Sequence, residues 1–380
     1  MSIEIKEVKS KKDLHTFIYL PEAIHAEHKS WIHPIYMDEW KLFSADKNSL
    51  FQHNDTILLL AFEGEKPVGR IMGIIPHHFN EKHKLNNARF AFFECYDNKL
   101  IFNTLIQSIE NWALKHKCTE VIGPMAFSDK EPQGFLTSGF DAETMMVTNC
   151  SLPFMVDYIA ESGYLPHVDL CQYEVPLSKN LTERYKPFAQ RVESHNSITI
   201  HEFTSTRAIR PFIRPAFELI NKTYQDIYGF SSLTDKEAME FSNRFLPLLD
   251  ASLIKVITGP KGNVLAFIVA MADLSKGIKK AKGRLLPFGW YHILSAGKKS
   301  KRLVLLLGAV AEEYRNKGLD AILGYRLLNS AIKRGLTSLD SHLIMKENYK
   351  MRREIERLDN YRLYKNIGFF LKNWNDKSAS

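Results

Sequence analysis

A β-hairpin followed by a third strand, a helix and a buried strand stands early in the chain and limits the folds open to it. Residues 56–62 and 67–75 are apolar and β-branched on either side of a tight turn, which predicts the hairpin. Residues 88–94 predict the third strand, 100–116 an amphipathic helix and 119–123 the buried strand. Because strands and a helix alternate within one short stretch, this order predicts an α/β fold.

The second half of the chain repeats this plan. It is predicted to contain strands at 197–203, 253–258, 263–271, 301–308 and 338–345, helices at 209–228 and 319–334, and a helix end with a strand at 361–370. At 380 residues the chain is too long for one ordinary hydrophobic core. The polar stretch 176–196 is therefore predicted to separate two domains, 1–180 and 195–380, related by structural duplication.

The composition is that of a globular protein, with 45% apolar and 25% charged residues. No apolar run reaches the roughly 18 residues that suggest a spanning helix, and the N-terminus lacks the apolar core of a signal peptide. We therefore expect a cytoplasmic protein with no membrane span. The net charge of +8 is within ordinary scatter for this length and is compatible with an anionic ligand.

Neither the cysteines nor the histidines are spaced as in a known metal site. The four cysteines form no C-x-x-C pair, which disfavours zinc and redox centres. His25, His28 and His33 lie close together, but Pro34 breaks the helix that would align them, and no carboxylate or cysteine completes a ligand pattern. We therefore predict buried thiols, surface or capping histidines, and no metal.

A strand, a short polar loop and a helix follow one another over residues 303–323. Unpaired N–H groups at the start of a helix, together with the helix dipole, favour an anion such as phosphate. Gly318 lets the backbone come close to such a group, and Arg315 or Lys317 adds positive charge. A well-capped helix start is the alternative.

The segment Arg315-Asn316-Lys317-Gly318 resembles the R-x-x-G-x-G/A pyrophosphate loop of GNAT acyltransferases, and Asn348 with Tyr364–Phe369 resembles that family's closing pattern of an asparagine and Y-x-x-x-G-F. The resemblance implies two tandem GNAT-like domains with mixed, mainly antiparallel central sheets flanked by helices. It also implies that acetyl-CoA or another acyl-CoA binds at Gly308, Val310, Arg315, Asn316, Lys317, Gly318 and Leu319.

The same resemblance implies that Tyr364 protonates the CoA thiolate and that Asn348 orients the pantetheine arm or the substrate. A core aromatic and a helix cap are the alternatives for these two residues. The whole chain resembles tandem GNAT-like bacterial proteins, which are marked by Gly69-Arg70, Phe92-Phe93-Glu94, Gly123-Pro124 and Gly139-Phe140-Asp141.

Three features depart from the GNAT pattern. Asp320 stands where the family prefers Gly or Ala, and a carboxylate facing a pyrophosphate weakens binding unless it turns away. Asn348 and Tyr364 are farther apart than in the family. The first half has no R-x-x-G segment after its third strand, so we expect the phosphate site in the second half alone.

A GNAT reaction also needs a group that takes the proton of the attacking amine. Glu94, Asp273 and Glu347 are candidates by strand position; the alternatives are ordinary surface or capping carboxylates, with water as the base. No Cys-His or Ser-His pair stands out near the loop, so we expect direct attack on the thioester without a covalent intermediate.

Two basic stretches, 276–284 and 297–302, flank the apolar segment 285–294. They are suited to contact the 3′-phosphate of CoA or an acidic partner, including RNA. The alternative, which we favour, is a solvated loop beside an apolar segment that packs on the body of the protein.

These patterns predict an acyl-CoA-dependent N-acyltransferase that moves an acetyl or other acyl group to a small-molecule or peptide amine. One alternative is a GNAT-fold protein without catalysis that senses acyl-CoA or binds a partner. Another is an aminoacyl-tRNA-dependent transferase, with tRNA as partner, because its relatives also pair domains of this fold. The acceptor, the acyl chain and the oligomeric state stay open.

Overall fold

The computed structural model describes residues 2–145, 148–195 and 197–374. The chain forms two compact units. The first unit consists of Met1–Cys171, Ser275–Ile293 and Tyr364–Ser380, and the second of Gln172–Leu274 and Leu294–Leu363. These units are not the same divisions of the chain as the predicted domains 1–180 and 195–380, because two segments from the second half of the sequence belong to the first unit.

The elements before the second unit begin with a strand and two helices and continue through the predicted hairpin. They are β1 (Ile3–Glu7), α1 (Lys11–Ile24), α2 (Tyr36–Leu42), β2 (Asp55–Glu63), β3 (Lys66–Ile75), α3 (His77–His83), β4 (Asn87–Cys95), α4 (Lys99–Lys115), β5 (Glu120–Gly123), β6 (Phe135–Ser138) and α5 (Phe154–Glu161). Strand β7 (Leu165–Pro176) starts in the first unit and ends in the second.

The remaining elements repeat this order with one helical insertion, α9 and α10, before the fourth strand. They are α6 (Lys179–His195), β8 (Thr199–Glu202), α7 (Thr206–Thr223), α8 (Asp235–Phe245), β9 (Ile254–Thr258), β10 (Val264–Ala272), α9 (Ser275–Ala281), α10 (Gly289–Lys299), β11 (Arg302–Val310), α11 (Leu319–Lys333), β12 (Ser338–Met345), α12 (Tyr349–Glu356) and β13 (Arg362–Asn373). Short 3-10 turns lie at Ser49–Gln52, Leu246–Leu248, Ala251–Leu253 and Glu312–Tyr314.

Each unit has its own mixed, mainly antiparallel strand order. In the first unit the hydrogen-bonded order is β1-β2-β3-β4-β5-β13, and β6 also pairs with β13. In the second unit it is β7-β12-β11-β10-β9-β8. The pairs β4 with β5 and β11 with β12 are parallel. The sheets are therefore of the predicted mixed class.

Helices cover both faces of the first unit's strands. Ile71 of β3 belongs to the cluster packed under α4, while Met72 next to it belongs to the cluster under α1 and α2. Successive strand residues point to opposite faces, so a strand covered on both sides is apolar throughout. In the second unit, α7 contributes to one apolar cluster, and α6 and α11 contribute to another.

The predicted hairpins, the third strands and the helices after them are confirmed, since local periodicity determines them. Two predictions were wrong in kind. The stretch 176–196 is mostly the helix α6, because Leu181 and Ala189 on one of its faces are buried. Residues 361–370 contain no helix end and lie mainly in β13. No helix among the described residues is long and apolar enough to cross a membrane.

Candidate functional site

The predicted phosphate-binding segment is a loop between β11 and α11. Arg315, Asn316 and Lys317 are exposed on it, and Gly318 is the buried N-cap of the helix. Within the described residues, no side chain caps this helix start, so its first N–H groups lack the usual oxygen partner. The strand, loop and helix that the sequence predicted are therefore present, with two cations beside the helix start.

Gly318 also has a packing role. Its φ is +83°, a left-handed backbone that favours glycine. A Cβ at this position would lie 2.8 Å from Val192 Cγ2 and 3.2 Å from Phe188 Cε1, both on α6. Leu319 after it is fully buried, whereas Asp320 is exposed. Packing against α6 thus accounts for the glycine whether or not the loop binds an anion.

Strand β11 separates from β12 soon after they pair. Parallel pairing joins Arg302–Val304 to Ser338–Asp340, and Gly308 and Val310 lie beyond it. The Tyr224 hydroxyl donates to Gly308 O at 2.9 Å and accepts from Gly308 N at 3.2 Å. Both backbone groups of Gly308 are therefore already engaged within the second unit.

The two predicted catalytic residues lie in different compact units. Asn348 is the N-cap of α12, where its side-chain oxygen accepts from Met351 N at 3.2 Å. Tyr364 is partly buried on β13, with Lys365 Nζ 5.7 Å from its ring centre, and belongs to the first unit. The capping alternative for Asn348 agrees with its contacts.

A buried ion pair lies in the first unit, on the adjacent strands β3 and β4. Arg70 Nε donates to Glu94 Oε2 at 2.7 Å, and Arg70 Nη1 donates to Phe17 O at 2.7 Å. The Arg70 side chain is 4% exposed and that of Glu94 15%. Buried charges are kept in proteins when they are paired and hydrogen-bonded, and this pair meets that condition.

A bulge in β4 directs Glu94 inward. The register of β3 and β4 shifts between Arg70 and Met72, and Phe92 at the bulge has a φ of +48°. Such bulges bend a strand and turn its side chains. Glu94 lies beyond Asn87–Arg89, the stretch of β4 that pairs in parallel with β5.

The corresponding place in the second unit has no charged side chain. Glu94 lies five residues beyond Arg89, the last residue of β4 paired with β5, and the residue five beyond Val304 of β11 is the buried Ala309. The first unit therefore holds ionisable groups at this place, and the second unit holds the exposed cationic loop.

His25 brings a second titratable group to Glu94. It follows the last residue of α1, is 3% exposed, and places Nε2 3.4 Å from Glu94 Oε1. Its Nδ1 lies 3.1 Å from His28 Nδ1, and its ring stacks on Trp31 at a centroid distance of 5.1 Å. His25 is the C-cap of α1, which agrees with the capping part of the prediction, but it is buried and not on the surface, because Trp31 stacks on it and Glu94 of β4 faces it.

The charges in this cluster shift its pKa values in opposite directions. Burial by itself raises the pKa of Glu94, but the Arg70 guanidinium and His25 outweigh it and hold that pKa at about 2. Burial lowers the pKa of His28, and the charge of His25 adds to this effect. At neutral pH, Glu94 is consequently ionised and His28 is predominantly a neutral imidazole.

Cys150 completes the cluster on the side of His28. Its Sγ lies 3.9 Å from both ring nitrogens of His28, and burial raises the pKa of the thiol. The thiol form is a weak donor and a poor nucleophile. No local sequence pattern indicates this Cys-His contact, because 122 positions separate the two residues.

A small cavity borders His25 and Glu94. Its volume is about 10 Å³, close to that of one water probe, and Cys95, Ser151 and Met155 also line it. In the described ranges, no group of three or more His, Cys, Asp and Glu side chains is arranged to hold a metal ion. Because the ionised Glu94, His25 and the neutral His28 form one chain of contacts, the cluster is suited to proton transfer.

A neighbouring cluster holds the segment that carries these histidines. Glu22 on α1 accepts from Arg284 Nη2 at 3.0 Å and from the Tyr36 hydroxyl at 3.1 Å, and it lies 3.7 Å from His33 Nε2. Arg284 comes from the insertion after β10. These contacts hold the two ends of residues 22–36 together and link them to Arg284.

Comparison with known proteins finds relatives that match most of the chain. No protein-family profile matches it. It is 26% identical over 314 residues to a bacterial ceramide synthase of Caulobacter vibrioides, covering 80% of each chain. It is 23% identical over 370 residues to Protein YghO of Escherichia coli, covering 93% of each chain.

Solved structures with the same fold include GNAT proteins. A tandem GNAT protein from the clavulanic acid biosynthesis pathway superposes with a TM-score of 0.55 at 12% identity, covering 98% of this chain and 99% of that one. A GCN5-related N-acetyltransferase from Sphaerobacter thermophilus gives 0.52 at 9% identity, with coverages of 98% and 96%. The chain has the tandem GNAT fold, which confirms the predicted fold class.

Proposed function

We propose that the protein is an acyl-CoA-dependent N-acyltransferase whose acyl-transfer chemistry takes place at the Glu94-His25-His28 cluster. The amine nitrogen of the acceptor attacks the thioester carbonyl carbon, the carbon–sulfur bond breaks, and an amide and CoA form. The attacking nitrogen loses one proton and the CoA thiolate gains one, so the reaction needs no external oxidant or reductant. The fold and the proton-accepting groups support this assignment.

The observation that carries the proposal is the order of the three side chains. Because Glu94 is ionised, the His25 nitrogen that faces it is best occupied by a proton. The contact between His25 Nδ1 and His28 Nδ1 at 3.1 Å holds one hydrogen bond, and where His28 Nδ1 donates it the lone pair of the neutral His28 ring lies on Nε2. His28 is thereby the proposed general base, and His25 and Glu94 are the positioning residues that set its tautomer.

For the acceptor, we propose a long-chain amine. A ceramide is an amide of a long-chain amino alcohol, and the relative from Caulobacter vibrioides is named a ceramide synthase. The same reaction class in this chain would join an acyl group to a lipid amine. A peptide amine is the alternative acceptor.

The loop after β11, which belongs to the second unit, is a separate proposed binding site for a pyrophosphate group such as that of CoA. The exposed Arg315 and Lys317 and the helix start at Leu319 offer charge and N–H donors to such a group. Tyr364 is the proposed acid for the thiolate. For Asn348, whose oxygen already caps α12, we propose a structural role instead.

Thioester consumption is the direct test. The purified protein is mixed with acetyl-CoA or palmitoyl-CoA and with sphinganine in detergent micelles or a short peptide, and released CoA is measured with a thiol reagent. Loss of a general base lowers turnover by about 10² to 10⁴. We expect such a loss in His28→Ala and a comparable direction of change in His25→Ala and Glu94→Gln. The exposed His78→Ala is the matched control.

Binding to the loop is tested separately by calorimetry with the same acyl-CoAs. Arg315→Ala is expected to weaken binding by about tenfold or more, as for a lost charge-assisted hydrogen bond. Arg207→Ala, which removes another exposed arginine, should bind as the wild type does. Binding of acyl-CoA without any CoA release in the presence of amines would overturn the enzyme proposal and favour the non-catalytic sensor.

A further inference from the structure

The segment Ser275–Ile293 exposes a cluster of large apolar side chains. Leu286 is 81% exposed, Phe288 69%, Tyr291 59% and Trp290 51%. All four lie between the end of α9 and the first turn of α10. Singly scattered apolar residues are normal on a surface, whereas a contiguous group marks an interaction site. The expectation that this segment packs on the body of the protein is therefore wrong for these residues, which we call the apolar tip.

Basic residues precede the apolar tip, and the segment itself contributes no acidic side chain. No Asp or Glu occurs between residues 275 and 300. The exposed basic residues that precede the tip are Lys276, Lys279, Lys280, Lys282 and Arg284. A surface of this kind is attracted to a dense array of phosphate groups.

The base of the segment is anchored, so the tip projects from an ordered support. Lys279 Nζ donates to Lys29 O, and Tyr36 N donates to Gly283 O at 3.1 Å. The Arg284 guanidinium pairs with Glu22 at 3.0 Å and lies 5.1 Å from the Tyr36 ring centre. Within the tip, Trp290 Nε1 donates to Pro287 O at 3.2 Å. These bonds are all within the first unit.

Apolar side chains together with tryptophan and tyrosine suit the boundary between lipid chains and headgroups. Leucine and phenylalanine insert among acyl chains, and the amphipathic rings of Trp and Tyr prefer the headgroup level. Lysines next to such residues bind anionic lipids. Single-stranded RNA also binds aromatic and basic residues, but the most exposed tip residue is Leu286, which offers no ring for stacking.

We propose that the apolar tip docks the protein on the surface of an anionic phospholipid bilayer. Leu286, Phe288 and Trp290 enter the outer part of the bilayer, and the lysines of α9 contact lipid phosphates. Segment Ser275–Ile293 is held to residues 22–36 by hydrogen bonds and an ion pair. Docking therefore places the loop that carries His25 and His28 beside the lipid surface. The docking inference does not rest on the proposed function.

Vesicle flotation tests the inference without measuring catalysis. Full-length protein is mixed with vesicles of phosphatidylcholine alone or with one third phosphatidylglycerol, and the bound fraction is measured after centrifugation. We expect binding to the anionic vesicles that falls at high salt. The variant Leu286→Ser/Phe288→Ser/Trp290→Ser should lose at least about tenfold in affinity. Lys276→Gln/Lys280→Gln should lose about fivefold for each lysine.

Matched controls change exposed residues elsewhere in the chain. Leu100→Ser/Leu165→Ser removes apolar side chains of 53% and 62% exposure, and Lys115→Gln/Lys350→Gln removes the same amount of charge. Both should float as the wild type does, and circular dichroism checks that every variant is folded.

Three results would overturn the proposal. The first is that the wild type fails to float with anionic vesicles. The second is that the tip variant floats as well as the wild type. The third is that the tip variant differs from the wild type only in changing from a dimer to a monomer in light scattering. The last result would assign the tip to contacts between copies of this chain. A single-stranded RNA that binds the wild type in the absence of flotation would assign it to nucleic acid.

Discussion

Arg70 Nε lies 2.7 Å from Glu94 Oε2 across the adjacent strands β3 and β4, and the arginine side chain is almost completely buried. This contact places a fixed positive charge inside the first unit. It keeps Glu94 ionised, and Glu94 in turn faces His25 Nε2 at 3.4 Å. The ion pair thus sets the charge state around which the histidines are arranged.

Breaking this ion pair on one side should destabilise the protein strongly. Arg70→Met leaves Glu94 without its main partner, and removal of one member of a buried pair costs about 3–5 kcal/mol. The double variant Arg70→Met/Glu94→Gln should lose clearly less folding free energy than the sum of the two single variants. Each single variant leaves one buried charge unpaired, whereas the double variant leaves none. Urea unfolding of the four proteins measures this, and additive costs would show that the pair contributes no coupling.

The stability of the first unit should fall in acid because of Glu94. Its pKa is about 2 in the folded protein against an ordinary value of 4.5, so its contribution is complete above 4.5 and is lost as the pH falls towards 2. This difference corresponds to about 3 kcal/mol. Glu94→Gln should therefore unfold at a midpoint that depends less on pH between 5 and 3 than that of the wild type. Thermal melts across that pH range provide the measurement. The prediction fails if the melting temperatures of the wild type and of Glu94→Gln fall equally with pH.

The rate of acyl transfer should rise with pH through the pKa of His28. A general base acts in its neutral form, and burial places this pKa below the ordinary 6.5. We expect kcat/KM to increase as the pH rises through a value below 6.5 and then to level off. His28→Ala should remove this limb, whereas His78→Ala should keep it. A limb that survives in His28→Ala would assign the base to another group.

Cys150 should be dispensable for turnover. Its raised pKa keeps the thiol protonated, so direct attack by the amine requires no acyl-cysteine. Cys150→Ser is expected to change kcat by less than about threefold, within the range of a small packing change. Mass spectrometry of the wild type after mixing with acyl-CoA should detect no acylated cysteine. An acyl adduct on Cys150 that transfers to added amine would replace the direct mechanism by a covalent one.

Alanine substitutions at Gly318 and Gly262 distinguish the cost of backbone strain from the cost of a packing clash. Both have left-handed φ angles, +83° and +77°, but a Cβ at Gly318 would meet Val192 at 2.8 Å while Gly262 faces open space. Gly262→Ala should cost about 1 kcal/mol from strain alone. Gly318→Ala should cost more, because the side chain of α6 must move. Equal shifts in the unfolding midpoint of the two variants would show that Val192 on α6 moves aside at no cost in stability.

The fold class and most strands and helices could be predicted from the sequence because they depend on local periodicity. The hairpin strands β2 and β3 are nearly continuous apolar runs on either side of a tight turn, and α4 and α11 carry apolar stripes with helical spacing. The loop from Arg315 to Gly318 was also visible, since its glycine and cations are neighbours in the chain. Helix α6 was missed as a helix because its charged composition concealed a narrow buried face.

The sequence by itself determined the tandem arrangement of strands and helices and the position of a cationic loop before α11. Only the tertiary structure decided which ionisable residues meet, because Arg70, Glu94, His25, His28 and Cys150 come from distant parts of the chain. It likewise decided that Leu286 and Phe288 stay exposed, whereas an apolar run in a sequence does not show which residues other elements cover. Side-chain burial and proton affinity both depend on what lies across space, and that information is absent from local spacing.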